Sequence, residues 1–463
     1  MASAITAPTY DPTTTAAALA EKYTSARQQI LDAQSKTATA TETGLTSLSS
    51  ALSAFQTSLA SLASTGKTVY AQSAVFGDTG VGSATAGPTA AAGSYSFFVK
   101  QLASASQVSY TGLTDSTGVG GTLQIRMGGV PAFDIDMTAA NTDGGALTTR
   151  ELAAAINGAS GNAGKLTASI VTTGTTSELV LTAKDTGAAG AITLVTSGIT
   201  GTSSLAAANN DAARRRTLVA AQDAEIRVGS ETGTAITQAS NTFTNIDGVK
   251  MTFTRAQASG AAPVTLTVGP DNAGTTANVQ AFVDAFNKLK AALNKLTDPG
   301  DPSKGVAGGV FAHDGGIRAL NNRLTALLRP GGDVSLASFG IVATREGTLE
   351  LNTTRLMAQL ARDPSGLDGL LGSASKTAPT GIAGSLETYL SSWSNSVDGQ
   401  IKQRKEATSN LQSTLVTRQT TLDQQYDSAY QRYLLQFTQL QTLQSSMTTN
   451  LTLFDALFGN DKD

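Results

Sequence analysis

From Tyr433 to Phe454 the chain carries no charged residue, yet its apolar side chains recur at helical intervals. Between Leu411 and Phe454 the apolar positions 411, 415, 422, 426, 433, 437, 440, 447, 451 and 454 span 43 residues in twelve turns, close to the ~3.6 residues per turn of an α-helix. A helix with a single apolar stripe takes most of its stability from packing that stripe, so this one requires a long partner. The only stretch of matching length lies near the other end. There Leu45, Leu48, Leu52, Phe55, Leu59 and Leu62 step alternately by three and four, the spacing of a coiled-coil helix. A weaker seam of Leu19, Tyr23, Ala26, Ile30 and Ala33 precedes it, with a slip expected near Gly44. These stripes, with Leu422, Tyr426, Tyr433, Phe437, Leu440, Met447, Leu451 and Phe454 on the C-terminal side, are the candidate packing and oligomer-interface residues. Residues 1–18, rich in Thr, Ala and Pro, read as disordered in the isolated chain.

Between the two helical stretches the pattern changes to short alternating runs separated by Gly-, Thr- and Asn-rich turns. Strands are expected at Tyr95–Leu102, Leu123–Met127, Phe133–Met137, Ser177–Thr182, Ala224–Val228, Val249–Thr254 and Val264–Val268, with one helix at 150–158. Helical spacing returns at Val279, Phe282, Phe286, Leu289 and Leu293 and ends before Pro299 and Pro302. A helix at 317–328, a hairpin around Gly347, a helix in TTRLMAQLARDP and a continuous helix from Leu386 complete the expectation. The fold class is therefore multidomain α+β. Terminal helices pair into a coiled-coil or helical-bundle stalk, and mostly antiparallel β head domains are inserted between them. The expected division is 1–40, disordered or helical, pairing with 431–463; 41–75 with 272–430 as the helical stalk; 76–115 with 215–271 as an inner β domain; and 116–214 as an outer one.

Composition excludes several chemistries. The chain has no cysteine and one histidine, His313, in a Gly-flanked polar stretch, so thiolate catalysis and Cys or His metal sets are ruled out. A net charge of −3 leaves no electrostatic basis for nucleic-acid binding, and Arg214-Arg215-Arg216 reads as a solvated surface run. TGKT at 65–68 lacks the earlier glycine of a phosphate loop, because Ser61 stands there. Asp134 and Asp136 share one strand face without a third ligand. No catalytic residue, cofactor or metal site is expected. The N-terminus has no basic and apolar regions of a conventional signal peptide, and no window is apolar enough to span a membrane.

Four stretches together resemble the flagellar filament cap family, hook-associated protein type 2. They are the N-terminal helix with AAAGSYSFFVKQLASASQV, carrying Gly93, Ser94 and Tyr95; TLQIRMGGVPAFDI with ELAAAING, ending in Ile156 and Asn157; AITQASNTFTNIDGVKMTFTRA, carrying Ser240, Asn241, Thr242, Asp247 and Gly248; and FGIVATREGTLELNTTRLMAQLARDPSGLDGLLG. The 160–214 region matches the family only in composition.

The resemblance implies a non-enzymatic protein, exported unfolded through the flagellar type III channel and assembled at the distal tip of the bacterial flagellum. There it would retain exported flagellin and promote its folding and insertion. Implied partners are flagellin, hook-associated junction proteins, an export chaperone and further copies of the chain in a ring of about four to six subunits. Absence of cysteine suits threading through a narrow channel. Residues 1–75 carry four basic and four acidic groups, which suits adaptable apolar contact. Two alternatives stand beside capping: a flagellin-like or hook-filament junction protein, and an adhesin whose Thr/Gly-rich head binds host mucin or glycans.

Overall fold

The computed structural model describes residues 10–64, 66–173, 176–329 and 335–458. Expectations for 1–9, for position 65 of TGKT and for 459–463 lie outside the described residues. The chain falls into two compact units, Tyr70–Thr275 and the flanking chain up to Val69 and from Thr276.

The chain enters α1 (Pro12–Ala63) through a well-defined cap. The Asp11 carboxylate accepts from Thr13 N and Thr14 N, and Pro12 pre-sets the first helical φ. Residues 12–18 are therefore helical rather than disordered: the cap supplies a start that their composition hides. The slip expected at Gly44 is also absent, because α1 runs through it. A Cβ on Gly44 would sit 2.5 Å from Val310 Cγ1 and 2.9 Å from the Phe311 ring, so the glycine lets the 310–311 segment dock against the helix.

The Tyr70–Thr275 unit contains β1 (Gln72–Phe76), β2 (Gly82–Ala86), β3 (Gly93–Gln101), β4 (Gln107–Tyr110), β5 (Gly120–Met127), β6 (Val130–Asp136), α2 (Met137–Ala140), α3 (Thr149–Gly158), β7 (Leu166–Thr173), β8 (Thr176–Ala183), β9 (Ile192–Val195), β10 (Ile199–Thr200), α4 (Ser204–Asn209), β11 (Arg215–Val219), β12 (Ala224–Val228), β13 (Ala235–Gln238), β14 (Thr242–Ile246), β15 (Val249–Phe253) and β16 (Val264–Pro270). It has two cores. One lies between the sheet β1-β16-β3-β12-β13 and the sheet β14-β15-β2. Phe253 is its centre, with the rings of Phe76, Phe243 and Phe97 at 5.3, 5.6 and 6.2 Å. The other joins the sheet β11-β4-β8-β7 to β10-β5-β6, with β9 on β5. Tyr110, Leu123, Ile125, Leu179 and Ile156 of α3 are sealed inside it. The Arg214–Arg216 run leads into β11, an exposed edge strand, where Arg216 pairs with Glu178 at 2.5 Å.

The flanking unit continues with α5 (Asn272–Thr297), α6 (Gly315–Leu327), the hairpin β17 (Ile341–Ala343) and β18 (Leu349–Leu351), α7 (Thr353–Leu360), α8 (Gly366–Leu371), α9 (Gly381–Ser394) and α10 (Gln400–Phe458). Phe55 of α1 packs on Phe282 and Phe286 of α5, with centroids 6.5 and 6.0 Å apart. The continuous helix expected from Leu386 is broken at 395–399. A Cβ on Gly399 would lie 2.4 Å from the Asn395 carbonyl oxygen, so the connection needs glycine. Arg404 fastens the start of α10, pairing with Asp314 at 2.5 Å and lying over the Trp393 ring at 5.6 Å.

Candidate functional site

The candidate site is the pairing of α1 with α10 and the part of α10 beyond it. The helices run antiparallel, with Glu42 meeting Gln412, Gln28 meeting Gln419, Arg27 meeting Gln425 and Tyr10 meeting Phe437. Buried positions recur every seven residues on both helices: Thr24, Leu31, Ala38, Leu45, Leu52 and Leu59 on α1, and Ile401, Thr408, Leu415, Leu422 and Ala429 on α10. Leu31, Ala38, Leu415 and Leu422 form one core. The heptad spacing, which coils two helices left-handedly, is the coiled-coil pattern expected for α1, and on α10 it takes the place of the ~3.6-residue stripe expected from sequence.

Its polar contacts are mostly amides. Gln28 and Gln419 exchange two hydrogen bonds of 2.8 and 3.0 Å, Arg27 Nη1 donates to Gln425 Oε1 at 2.7 Å, and Gln412 Nε2 donates to Glu42 Oε2 at 2.8 Å. Among the described residues no ion pair joins the two helices.

Of the expected stripe, Leu45, Leu48, Leu52, Phe55 and Leu59 are buried, and Leu62 is half-buried beside buried Ala63. The weaker upstream seam is displaced. Leu19 is half-buried, while Tyr23 and Ile30 are 48 % and 58 % exposed, and their places are taken by Ala16, Ala20, Thr24 and Leu31. Small residues allow close approach of the two helices but contribute little hydrophobic contrast, so the larger flanking side chains mislead a count of apolar spacing. Tyr23 instead lies under the Arg27 guanidinium at 5.4 Å.

On α10, Leu422 is buried and Tyr426, Tyr433 and Phe437 are half-buried. Beyond them Leu440, Met447, Leu451 and Phe454 are 41 % to 61 % exposed, as are Leu443, Leu453 and Leu457 to a similar degree. The tail thus presents apolar side chains on more than one face. Among the described residues no helix is long and apolar enough to cross a membrane.

The motif residues of the β unit have structural duties. Asn241 Oδ1 accepts from Ala103 N at 2.7 Å and its Nδ2 donates to Ala103 O at 2.9 Å, so one amide side chain imitates a neighbouring strand. Asn157 does the same to Ala168, at 2.8 Å both ways. Asn162 with Leu166 and Asn287 with Leu349 repeat the device; both escaped notice in the sequence, where a lone asparagine near a turn has no distinguishing pattern. Ser240 Oγ accepts from Thr242 N at 3.1 Å, and Thr242 Oγ1 lies 3.0 Å from Thr252 Oγ1 across the β14–β15 pair. The turn at Asp247-Gly248 has φ +70° at Gly248, and a Cβ there would lie 2.5 Å from Ala90 N. Gly93, Ser94 and Tyr95 open β3 opposite Val268, Thr267 and Leu266 of β16.

The residues weighed for catalysis are likewise occupied. The Asp136 carboxylate caps α2, accepting from Thr138 N at 2.8 Å and Ala139 N at 3.2 Å, and Asp134 is exposed on β6. His313 is exposed. Among the described residues no group of three or more His, Cys, Asp or Glu could hold a metal ion. Glu151 closes a capping box with Thr148, and the Thr148 and Thr142 backbone amides, helped by both hydroxyls, pull its carboxyl down to about 2.

A long helical pair joining the first and last helices, an apolar helical extension and an inserted two-core β unit define a structural assembly protein. Residues 9–106 match the family model for the flagellar hook-associated protein 2 N-terminus, and residues 221–449 match that for its C-terminus. The chain is 32 % identical over 381 residues to the lateral flagellar hook-associated protein 2 of Vibrio parahaemolyticus, covering 80 % of this chain and 82 % of the relative. It is 30 % identical over 435 residues to the B-type flagellar hook-associated protein 2 of Pseudomonas aeruginosa, covering 89 % and 88 %. A crystal structure of the D1-D2-D3 domains of the flagellar cap protein FliD from Escherichia coli superposes with a TM-score of 0.61 at 27 % identity, covering 79 % of this chain and 99 % of that one. The chain belongs to the flagellar hook-associated protein 2 family. Residues 107–220, between the two family matches, hold the second β core.

Proposed function

We propose that this protein caps the flagellar filament by seating the extension of α10 beyond Phe437 at the filament tip. The observation that carries this mechanism is the exposure of Leu440, Leu443, Met447, Leu451 and Leu453 on a stretch of helix without charge, with Leu457 just past Asp455, next to a seam that holds α1 and α10 together up to Phe437. Apolar area of this kind is stabilised by leaving water, at roughly 25 cal/mol per Å². With no charge between Tyr433 and Phe454, it suits a surface that is regenerated as each subunit is added.

In this reading the protein is secreted through the flagellar export channel and acts outside the cell without enzymatic chemistry. It assembles with copies of itself in a ring of about four to six subunits. Its partners are flagellin, the hook-associated junction proteins and an export chaperone. The core around Phe253 and the core around Tyr110 serve as inner and outer head domains, with β4 and β11 in the outer one and not in the inner one as expected from the 76–115 with 215–271 and 116–214 division. The α1–α10 seam, in which residues 27–42 pair with 412–425 instead of 1–40 pairing with 431–463, belongs to the stalk, and α10 beyond Phe437 is the segment that engages the filament. Deleting residues 438–463 tests the mechanism: the truncated protein folds, and flagellin monomer accumulates in the medium. Normal filaments on cells carrying the truncation would refute it.

A further inference from the structure

Between α1, α9 and the 373–377 loop lies a cleft of about 990 Å³, and its floor holds an unusual group. Glu387 of α9 is only 5 % exposed. Its carboxylate accepts from one Gln56 amide group, at 3.2 Å on Oε1 and 3.1 Å on Oε2, and from Ser391 Oγ at 3.0 Å. Among the described residues no lysine or arginine nitrogen lies within 4.0 Å of it, whereas half-buried Asp314 of the same unit has Arg404. A buried carboxylate held by neutral donors alone keeps a large unmet demand for positive charge.

The walls supply the rest of a site. Hydroxyls of Ser53, Thr57, Ser375, Ser391 and Ser394 line the cleft, and each can accept as well as donate. The loop wall is tied down, with Ala374 N donating to Ala63 O at 2.6 Å and Ser373 N to Thr380 O at 3.0 Å, so the opening is preformed. We propose that the cleft binds the ammonium group of a single lysine carried on an extended, otherwise uncharged peptide segment of a partner protein.

The chemistry selects among cations. An arginine fork needs acceptor capacity on both carboxylate oxygens, and Oε1 of Glu387 already accepts from Gln56 and Ser391, which leaves an open lone pair on Oε2 alone. An ammonium needs one, and places its remaining donors on hydroxyls. The volume exceeds what a bare metal ion fills, and the hydroxyl walls suit the amides of a peptide chain. Lys376 is the one basic residue on the lining, so every positive charge on the segment beyond the one that Glu387 compensates adds uncompensated repulsion.

The chain's only tryptophan, Trp393, is buried under Arg404 and lies in sequence between the lining residues Ser391 and Ser394, which makes it a nearby fluorescence probe. The full-length protein is titrated with the blocked peptide Gly-Ser-Lys-Ser-Gly, followed by Trp393 emission and by calorimetry. Saturable binding is expected, weakened about tenfold or more in Glu387→Gln, which preserves side-chain size and the contact with Ser391. The matching peptide with glutamine in place of lysine binds no better than Glu387→Gln binds the lysine form. Equal binding of both peptides, unchanged binding by Glu387→Gln with a native circular dichroism spectrum, or saturable binding of calcium alone would each overturn the assignment. None of these outcomes depends on filament capping.

Discussion

Tyr10 and Phe437, 427 positions apart in sequence, meet edge to face with ring centroids 5.6 Å apart, and the Tyr10 hydroxyl reaches the Phe437 carbonyl oxygen at 3.4 Å. Among the described residues this pair stands at the end of the α1–α10 seam, with Tyr10 just ahead of α1. A double-mutant cycle of Tyr10→Ala and Phe437→Ala should show a coupling of about 0.5–1.5 kcal/mol, the range of edge-to-face aromatic pairs. Hydrogen exchange should place the loss in α1 and α10, with protection of β3 and β15 unchanged.

Leu451 tests the tail without touching the fold. Because its side chain is 61 % exposed, Leu451→Glu should shift stability by less than about 0.5 kcal/mol while releasing unpolymerised flagellin into the medium. Comparable loss of thermal stability would make the residue part of a core.

Asn241 holds both backbone groups of Ala103, so Asn241→Ala strands an N–H and a C=O at once. The expected cost is about 1–3 kcal/mol, measured by denaturant unfolding. Asn241→Asp should recover part of it, because the acceptor for Ala103 N survives and only the donor to Ala103 O is lost.

Glu151 makes stability pH-dependent. Its carboxyl titrates at about 2 in the folded chain against an ordinary 4.5, so its stabilisation is complete above pH 4.5 and is lost as pH falls from 4.5 towards 2. Glu151→Gln should therefore lower the melting temperature at neutral pH and converge with the wild type near pH 2. A difference that persists at the acid end would assign the effect to packing.

Ser109 is buried in the second β core, and its hydroxyl has no hydrogen-bond partner among the described residues. Replacing it with alanine removes an uncompensated polar atom, so Ser109→Ala should be neutral or raise stability by up to about 1 kcal/mol, read from the denaturation midpoint.

What the sequence disclosed depended on how strongly side-chain size marks each element. Ala224–Val228 was legible to the residue, since Ile226 is sealed while its neighbours alternate outward. Arg215–Val219 was not, because every residue of that edge strand is exposed and alternation leaves no trace. The same limit governed the seam. Leu45 to Leu59 stood out, but Ala16, Ala20, Thr24 and Ala38 bury too little apolar surface to reveal their phase, and Tyr23 and Ile30 drew attention to the wrong face. The motif asparagines could be picked out by resemblance, yet their two-point grip on Ala103 and Ala168 exists only once distant segments meet.

The antiparallel seam also gives the molecule a mechanical direction. A pull along the axis of α10 toward Phe454 loads Ala429, Leu422, Leu415 and Thr408 in shear, so the heptads resist together. A sideways pull at the same point peels them one at a time, beginning with Phe437 over Tyr10. The Gln28–Gln419 exchange, being uncharged, keeps its grip at any ionic strength. The same joint is therefore stiff against axial drag and compliant against tilting.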